Sequence, residues 1–150
     1  MNDFIVLLVE DDPDDVFFLQ EAFEKAGMAG ALRVARDGEE AVAYLMGSAA
    51  YADRKLHPLP SLVLLDLKLP RKSGLEVLEW RRGQAGLERI PLIVLTSSQS
   101  DEDMRRAYEL GANSYLVKPI SSEAQLNMVK AIQAYWIALN KAPALERTRG

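Results

Sequence analysis

The sequence predicts a doubly wound α/β domain on a parallel sheet, and three observations lead there. Short apolar runs at residues 4–9, 32–35, 62–65, 92–95 and 114–117 alternate with longer helical patterns. The first, third and fourth runs are nearly unbroken Val, Ile and Leu, which implies burial on both faces, as in a parallel sheet covered by helices. The length of 150 residues, with 49% hydrophobic and 27% charged positions, suits one ordinary core.

Each element follows from its residues. After the first strand, Asp12 is a good N-cap and Pro13 a favoured first-turn residue, while Asp14 and Asp15 complement the positive end of the helix dipole. The first helix runs over 13–26, with Val16, Leu19, Ala22 or Phe23, and Ala26 as its core stripe, and Gly27 ends it. Further helices are expected at 39–46, 74–82, 101–110 (stopped by Gly111) and 122–141. The stretch "GSAAYADRKLHPLPS", 47–61, is long for a connector and is either mobile or has a task of its own. Its His57, the one histidine of the chain, has no second ligand nearby and reads as a loop residue. The division expected is a domain over 1–142 and a flexible tail over 143–150.

Composition narrows the function. With no cysteine, neither a disulfide framework nor a thiolate metal site is available. No apolar run approaches the roughly 20 residues of a membrane span, and the first ten residues lack a signal-type pattern, so a cytoplasmic protein without a membrane partner is expected. A net charge of -4 with no dense Lys/Arg block argues against nucleic acid.

The chemistry gathers where parallel strands open their carboxyl ends onto one edge, the place where open α/β sheets bind ligands. The first strand ends in Glu10 and Asp11, the third in Asp66, the fourth in Thr96, and Lys118 follows the fifth. Carboxylates packed this closely raise one another's pKa unless a cation intervenes, and an oxygen-only set suits a hard ion, so Mg²⁺ is the expected ligand. Taken singly, these residues have plainer readings: Asp66 as a turn cap, Thr96 as a strand end, Lys118 as a solvated lysine. The convergence is what speaks for a site.

Together "VEDD", "LVLLDLKLPRKSG", "IVLTSSQ" and "YLVKP" resemble the receiver domain of two-component response regulators, over about residues 4–139. The resemblance implies a flavodoxin-like (CheY-like) five-stranded parallel sheet in the order 2-1-3-4-5, with helices on both faces. It implies that Asp66 takes a phosphoryl group from a sensor histidine kinase, that Glu10, Asp11, Asp66 and the backbone carbonyl of Lys68 hold Mg²⁺ (or Mn²⁺ in its place), and that Thr96, Tyr115 and Lys118 are the switch and phosphate-contacting residues. In that family the bond at the matching Lys-Pro, here Lys118-Pro119, is usually cis. The long connector, "DLKLP" and "AIQAYW" are similar to a narrower group, stand-alone receivers paired with bacterial phytochrome kinases, which lack an output domain. Such a protein is a phosphoprotein of phosphorelay signal transduction and not a turnover enzyme.

Several expectations stay open. Packing explains Tyr115 as well as switching does. Lys68 and Ser98, each two residues beyond a site residue, border the path of attacking water and are expected to tune hydrolysis. The last helix carries Lys130 as its lone charge between 124 and 140; Leu126, Val129, Ile132 or Gln133, and Trp136 can face the core. The apolar remainder suggests a homodimer, with Met128, Tyr135, Trp136 and Leu139 as the interface, unless the connector or tail covers that face. Two other classes compete with the switch. A phosphorylation-independent scaffold would not need the intact polar set. A Mg²⁺-dependent phosphohydrolase usually needs an aspartate where Lys68 stands.

Overall fold

The structure, a computed structural model, describes residues 4–141. The tail expected at 143–150 lies outside the described residues. Five strands, β1 (Val6–Val9), β2 (Leu32–Ala35), β3 (Leu62–Leu65), β4 (Leu92–Thr96) and β5 (Ser114–Val117), form one sheet in the order β2-β1-β3-β4-β5. All four pairings are parallel. The helices are α1 (Pro13–Lys25), α2 (Gly38–Met46), α3 (Gly74–Arg82), α4 (Asp101–Glu109) and α5 (Ser122–Ile132). This is the flavodoxin-like arrangement expected.

Alternation along the strands divides the core in two, because successive side chains leave a strand on opposite faces. Leu7, Val9, Val63, Leu65, Leu92 and Val94 pack with α2, α3 and α4 through residues such as Tyr44, Leu78 and Ala107. Val6, Leu8, Leu62, Leu64, Ile93 and Leu95 pack on the other face with Leu19 and Phe23 of α1 and Val129 and Ile132 of α5. The three central strands are therefore buried along their whole length, as their unbroken apolar runs require.

Register then places the site. Val9 pairs with Leu65, and Leu65 with Val94, so β1, β3 and β4 end nearly level. The next residues, Glu10 and Asp66, emerge side by side, with the Asp66 amide donating to the Val9 carbonyl at 3.1 Å. Helix α3 starts directly beneath: a Cβ on Gly74 would lie 2.2 Å from the Asp66 carbonyl oxygen, so only glycine lets the helix approach this backbone. The Ser73–Glu76 capping box fixes that helix start.

Two elements differ from expectation. The last helix does not run regularly over 122–141; α5 ends at Ile132 and the chain continues as a π-helix, Gln133–Leu139. The wider turn keeps Trp136 against the α1–α5 core while the Gln133 side-chain amide donates to the Ala26 carbonyl at 3.3 Å. The expected interface set is thereby split: Met128 and Trp136 pack on the core, as expected for Trp136, whereas Tyr135 and Leu139 are 51% and 69% exposed.

The connector between α2 and β3 is fastened to α2. Arg54 donates to the Tyr44, Leu45 and His57 carbonyls at 2.8–3.0 Å, the first two in the last turn of α2. His57 stands edge-on to Tyr51 and Tyr44, with ring centroids 5.1 and 6.0 Å apart. The Tyr51 hydroxyl donates to Glu40 at 2.8 Å. The segment is thus packed onto α2 rather than loose.

Candidate functional site

The carboxyl edge of the sheet brings the acidic residues together. Glu10, Asp11 and Asp66 each offer an oxygen within 4.8 Å of the others. Glu10 and Asp66 are buried, at 1% and 6% exposure, while Asp11 opens to solvent. Backbone geometry holds them: the Asp12 amide donates to Glu10 Oε2 at 3.2 Å, and the Lys68 amide leans back on Asp66 Oδ1 at 3.4 Å. Asp12 caps α1 as expected, its side chain accepting from the Asp14 amide at 2.9 Å.

Lys118 enters this cluster from the loop after β5. Its ammonium lies 2.6 Å from Glu10 Oε1, 2.8 Å from Asp15 Oδ2 and 3.1 Å from Asp66 Oδ2. Burial pushes the Glu10 carboxyl up, the Lys118 hydrogen bond opposes this, and the Asp66 charge adds to it, leaving Glu10 at about 7. For Lys118, burial acts downward, but hydrogen bonds to Asp15 and Glu10 and the charge of Asp66 outweigh it, so the ammonium stays charged well beyond neutral pH. Four carboxylates against one ammonium leave a surplus of negative charge, and the donor set is all oxygen. That chemistry fits a hard divalent cation.

The remaining predicted residues surround this edge. Thr96 is fully buried at the end of β4; its hydroxyl accepts from the Ser98 amide at 3.3 Å and its carbonyl from the Lys118 amide at 2.8 Å. The Ser98 hydroxyl donates to Asp103 Oδ2 at 2.7 Å, tying the loop after β4 to the first turn of α4. Tyr115 packs its ring against the core while its hydroxyl donates to the Ser98 carbonyl at 3.0 Å. Lys68 is exposed on the loop after β3. The Lys118–Pro119 bond is trans, correcting the cis bond implied by the resemblance; trans is the form a prolyl amide prefers by about 0.5–1 kcal/mol.

One participant is hidden in the sequence: the dipole of α1 accounts for Asp15, yet the structure makes it a close partner of Lys118. The available signal is spacing: Asp11 and Asp15 are four residues apart, which puts both toward the same side at a helix start. The Tyr115–Ser98 contact carried no such signal, since nothing local links a strand residue to a carbonyl 17 positions earlier.

Comparison with known proteins bears on this edge. A family model described as the response regulator receiver domain matches residues 6–130. The chain is 42% identical over 145 residues to the probable methanogenesis regulatory protein FilR2 of Methanothrix harundinacea, covering 93% of this chain and 88% of that one. Response regulator Rcp1 of Synechocystis sp. is 37% identical over 140 residues, covering 93% of both chains. The crystal structure of the Mn²⁺-bound form of Rcp1 superposes with a TM-score of 0.82 at 37% identity, covering 94% and 99% of the two chains. That of the phosphorylated cyanobacterial phytochrome response regulator RcpA superposes with a TM-score of 0.87 at 34% identity, covering 95% and 100%. Matches that run nearly end to end, on the fold and the residue order alike, leave one family, and this chain belongs to it: the response regulator receiver domains.

Proposed function

We propose that the protein is a single-domain response regulator that accepts a phosphoryl group from a histidine kinase onto Asp66, assisted by Mg²⁺, and changes its protein-binding surface in response. The observation that carries this reading is the placement of Asp66 beside Glu10, Asp11 and Lys118 on one sheet edge. Glu10, Asp11, Asp66 and the Lys68 carbonyl would hold the cation, with Mn²⁺ as a substitute. When bound, it offsets the repulsion between carboxylates and an incoming phosphoryl anion and orients the transfer.

The chain's own groups do the rest. An Asp66 carboxylate oxygen forms the new O–P bond as the N–P bond of the phosphohistidine breaks, and the leaving imidazole nitrogen keeps the bonding pair. Lys118 supplies a positive charge to a phosphoryl oxygen from its position 3.1 Å off Asp66. Thr96 then donates its hydroxyl hydrogen to the phosphoryl group, drawing on the loop whose Ser98 carbonyl holds the Tyr115 hydroxyl. Movement of Thr96 is thereby transmitted to Tyr115 and to the surface of α4 and β5, a two-state element biased by one new dianion.

Lys68 and Ser98 tune how long the phosphoryl group survives, with Ser98 acting through its link to Asp103. If Lys68→Asn leaves the phosphate lifetime unchanged, that role is lost. The kinase partner is of the phytochrome class, a reading supported by the likeness to RcpA. The exposed Tyr135 and Leu139 serve a homodimer, with Met128 and Trp136 supporting them from the core side; a monomer in sedimentation with and without a phosphate mimic sinks it. Phosphotransfer profiling against candidate histidine kinases, with Asp66→Asn as control, tests the central proposal. Label taken up by Asp66→Asn overturns it.

A further inference from the structure

Asp15 has a sufficient structural reason to exist, at the positive end of α1, and its contacts exceed that reason. We propose that Asp15 is a positioning residue for phosphoryl transfer, holding the Lys118 ammonium over Asp66 from the α1 side. This rests on the phosphoacceptor reading given above.

An ammonium has three N–H donors. Lys118 donates to Asp15 Oδ2 and Asp66 Oδ2 at 2.8 and 3.1 Å and stands 2.6 Å from Glu10 Oε1 as an ion pair, so three different elements hold one head group. Glu10 and Asp66 are also the oxygens available to a divalent cation, whereas Asp15 lies outside that set. Once the acidic residues are engaged elsewhere, Asp15 is the carboxylate that still holds Lys118. It remains an anchor while the other two acceptors change partners.

The surroundings show what Asp15 works against. Beside Lys118 lies a crevice lined by Asp15, Leu19, Pro119, Gln125 and Met128, which Asp66 does not reach. Gln125 donates its side-chain amide to the Pro119 carbonyl at 3.2 Å, and its buried Oε1 has no hydrogen-bond partner among the described residues. Without Asp15 the long lysine stem borders this crevice with no carboxylate to hold its head group from the α1 side. Lysine has many rotamers to recover when an anchor is lost.

The test uses the full chain with Asp15→Asn, Asp15→Glu, Lys118→Met and the Asp15→Asn/Lys118→Met double variant. The readouts are the ¹H–¹⁵N signal of the Lys118 ammonium without metal, and labelling by acetyl phosphate at saturating Mg²⁺. Asp15→Asn is expected to lose the ammonium signal by exchange and to slow labelling about 10-fold, equivalent to about 1.4 kcal/mol. Asp15→Glu restores most of the rate. In the Lys118→Met background the same substitution has less than about a twofold effect, since the residue through which it acts is gone. A retained ammonium signal with an unchanged rate overturns the inference. So does an undiminished 10-fold loss in the Lys118→Met background, which would place the effect in α1 itself. Unfolding midpoints of each variant separate these outcomes from loss of fold. Wild-type labelling of Asp66→Asn overturns the phosphoacceptor reading and the transfer role of Asp15 with it; failure confined to the Asp15 variants leaves that reading standing.

Discussion

Replacing Lys118 by methionine removes one positive charge from among three carboxylates while keeping most of the stem's volume. The ammonium lies 2.6 and 3.1 Å from Glu10 and Asp66, which are 1% and 6% exposed, and 2.8 Å from the more open Asp15. Deleting one partner of a buried ion pair costs about 3–5 kcal/mol, because the other charge is left desolvated. Asp15 can turn to water, and Glu10, already pushed up to about 7, can take a proton, so the lower end applies. In EDTA near neutral pH the variant is expected to be about 3 kcal/mol less stable than wild type in urea unfolding.

Cation affinity, a second measurement, is expected to favour the variant. On the proposed cation site the ammonium and a cation would contend for the Glu10 and Asp66 carboxylates, and hydrogen bonds to charged groups are worth about 1.5–3 kcal/mol each. Wild type must weaken both to bind; the variant has neither to lose. Freedom from even one such bond raises cation affinity at least about 10-fold, read by Mn²⁺ titration. Unfolding at matched free cation should then show the variant gaining about 1.4 kcal/mol more from loading than wild type does. Equal or weaker cation affinity in the variant would refute the reasoning, as would a stability loss that is the same with and without the cation. Either result means that Lys118 does not contend with the cation for these oxygens.

Other predictions concern the scaffold of the site. Gly74→Ala places a methyl group 2.2 Å from the Asp66 carbonyl oxygen and 2.6 Å from Leu67 Cα, both backbone atoms that cannot swing aside. A loss of about 3 kcal/mol in unfolding, with slower labelling of Asp66, is expected at the upper end of overpacking costs; wild-type stability would count against the packing described. Tyr51 is held at about 12, above its ordinary 10.0, by burial first and then by its hydrogen bond to Glu40. The folded state thus keeps this proton longer than the unfolded chain does, a contribution intact below pH 10 and lost as pH rises through about 12. The difference between wild type and Tyr51→Phe in ultraviolet titration should appear at that upper end, and a midpoint near 10 contradicts the Glu40 contact. Arg54→Ala removes three hydrogen bonds to the carbonyls of Tyr44, Leu45 and His57. A loss of about 2 kcal/mol and new proteolytic cleavage in the 47–61 connector are expected.

What the sequence reveals and what it conceals divide along physical lines. Strands β1, β3 and β4 show in the sequence because burial on both faces leaves an unbroken apolar signature, whereas the half-buried edge strands β2 and β5 show as short apolar runs between helical patterns. The acidic edge was legible for a related reason: residues ending parallel strands share a location whatever their distance in the chain. The π-helical end of the last helix was not, since a period of 3.6 assumes the ladder it departs from. The connector was not either, because Arg54 reaches carbonyls nine and ten residues back and no periodicity marks it.

Asp15 is concealed for a different reason: its place in the first turn of α1 explains an acid there completely, so nothing local points beyond the helix. Yet the dipole asks only for negative charge within a turn, a condition Asp14 meets equally. The two differ in direction: Asp15 lies four residues from Asp11 and meets a lysine 103 positions away, while nothing comparable engages the exposed Asp14 side chain among the described residues. Where two adjacent residues satisfy the same local rule, the one turned toward the site carries the additional constraint. Substituting Asp14 and Asp15 separately therefore distinguishes the helix-start contribution, common to both, from the Lys118 contribution, confined to Asp15.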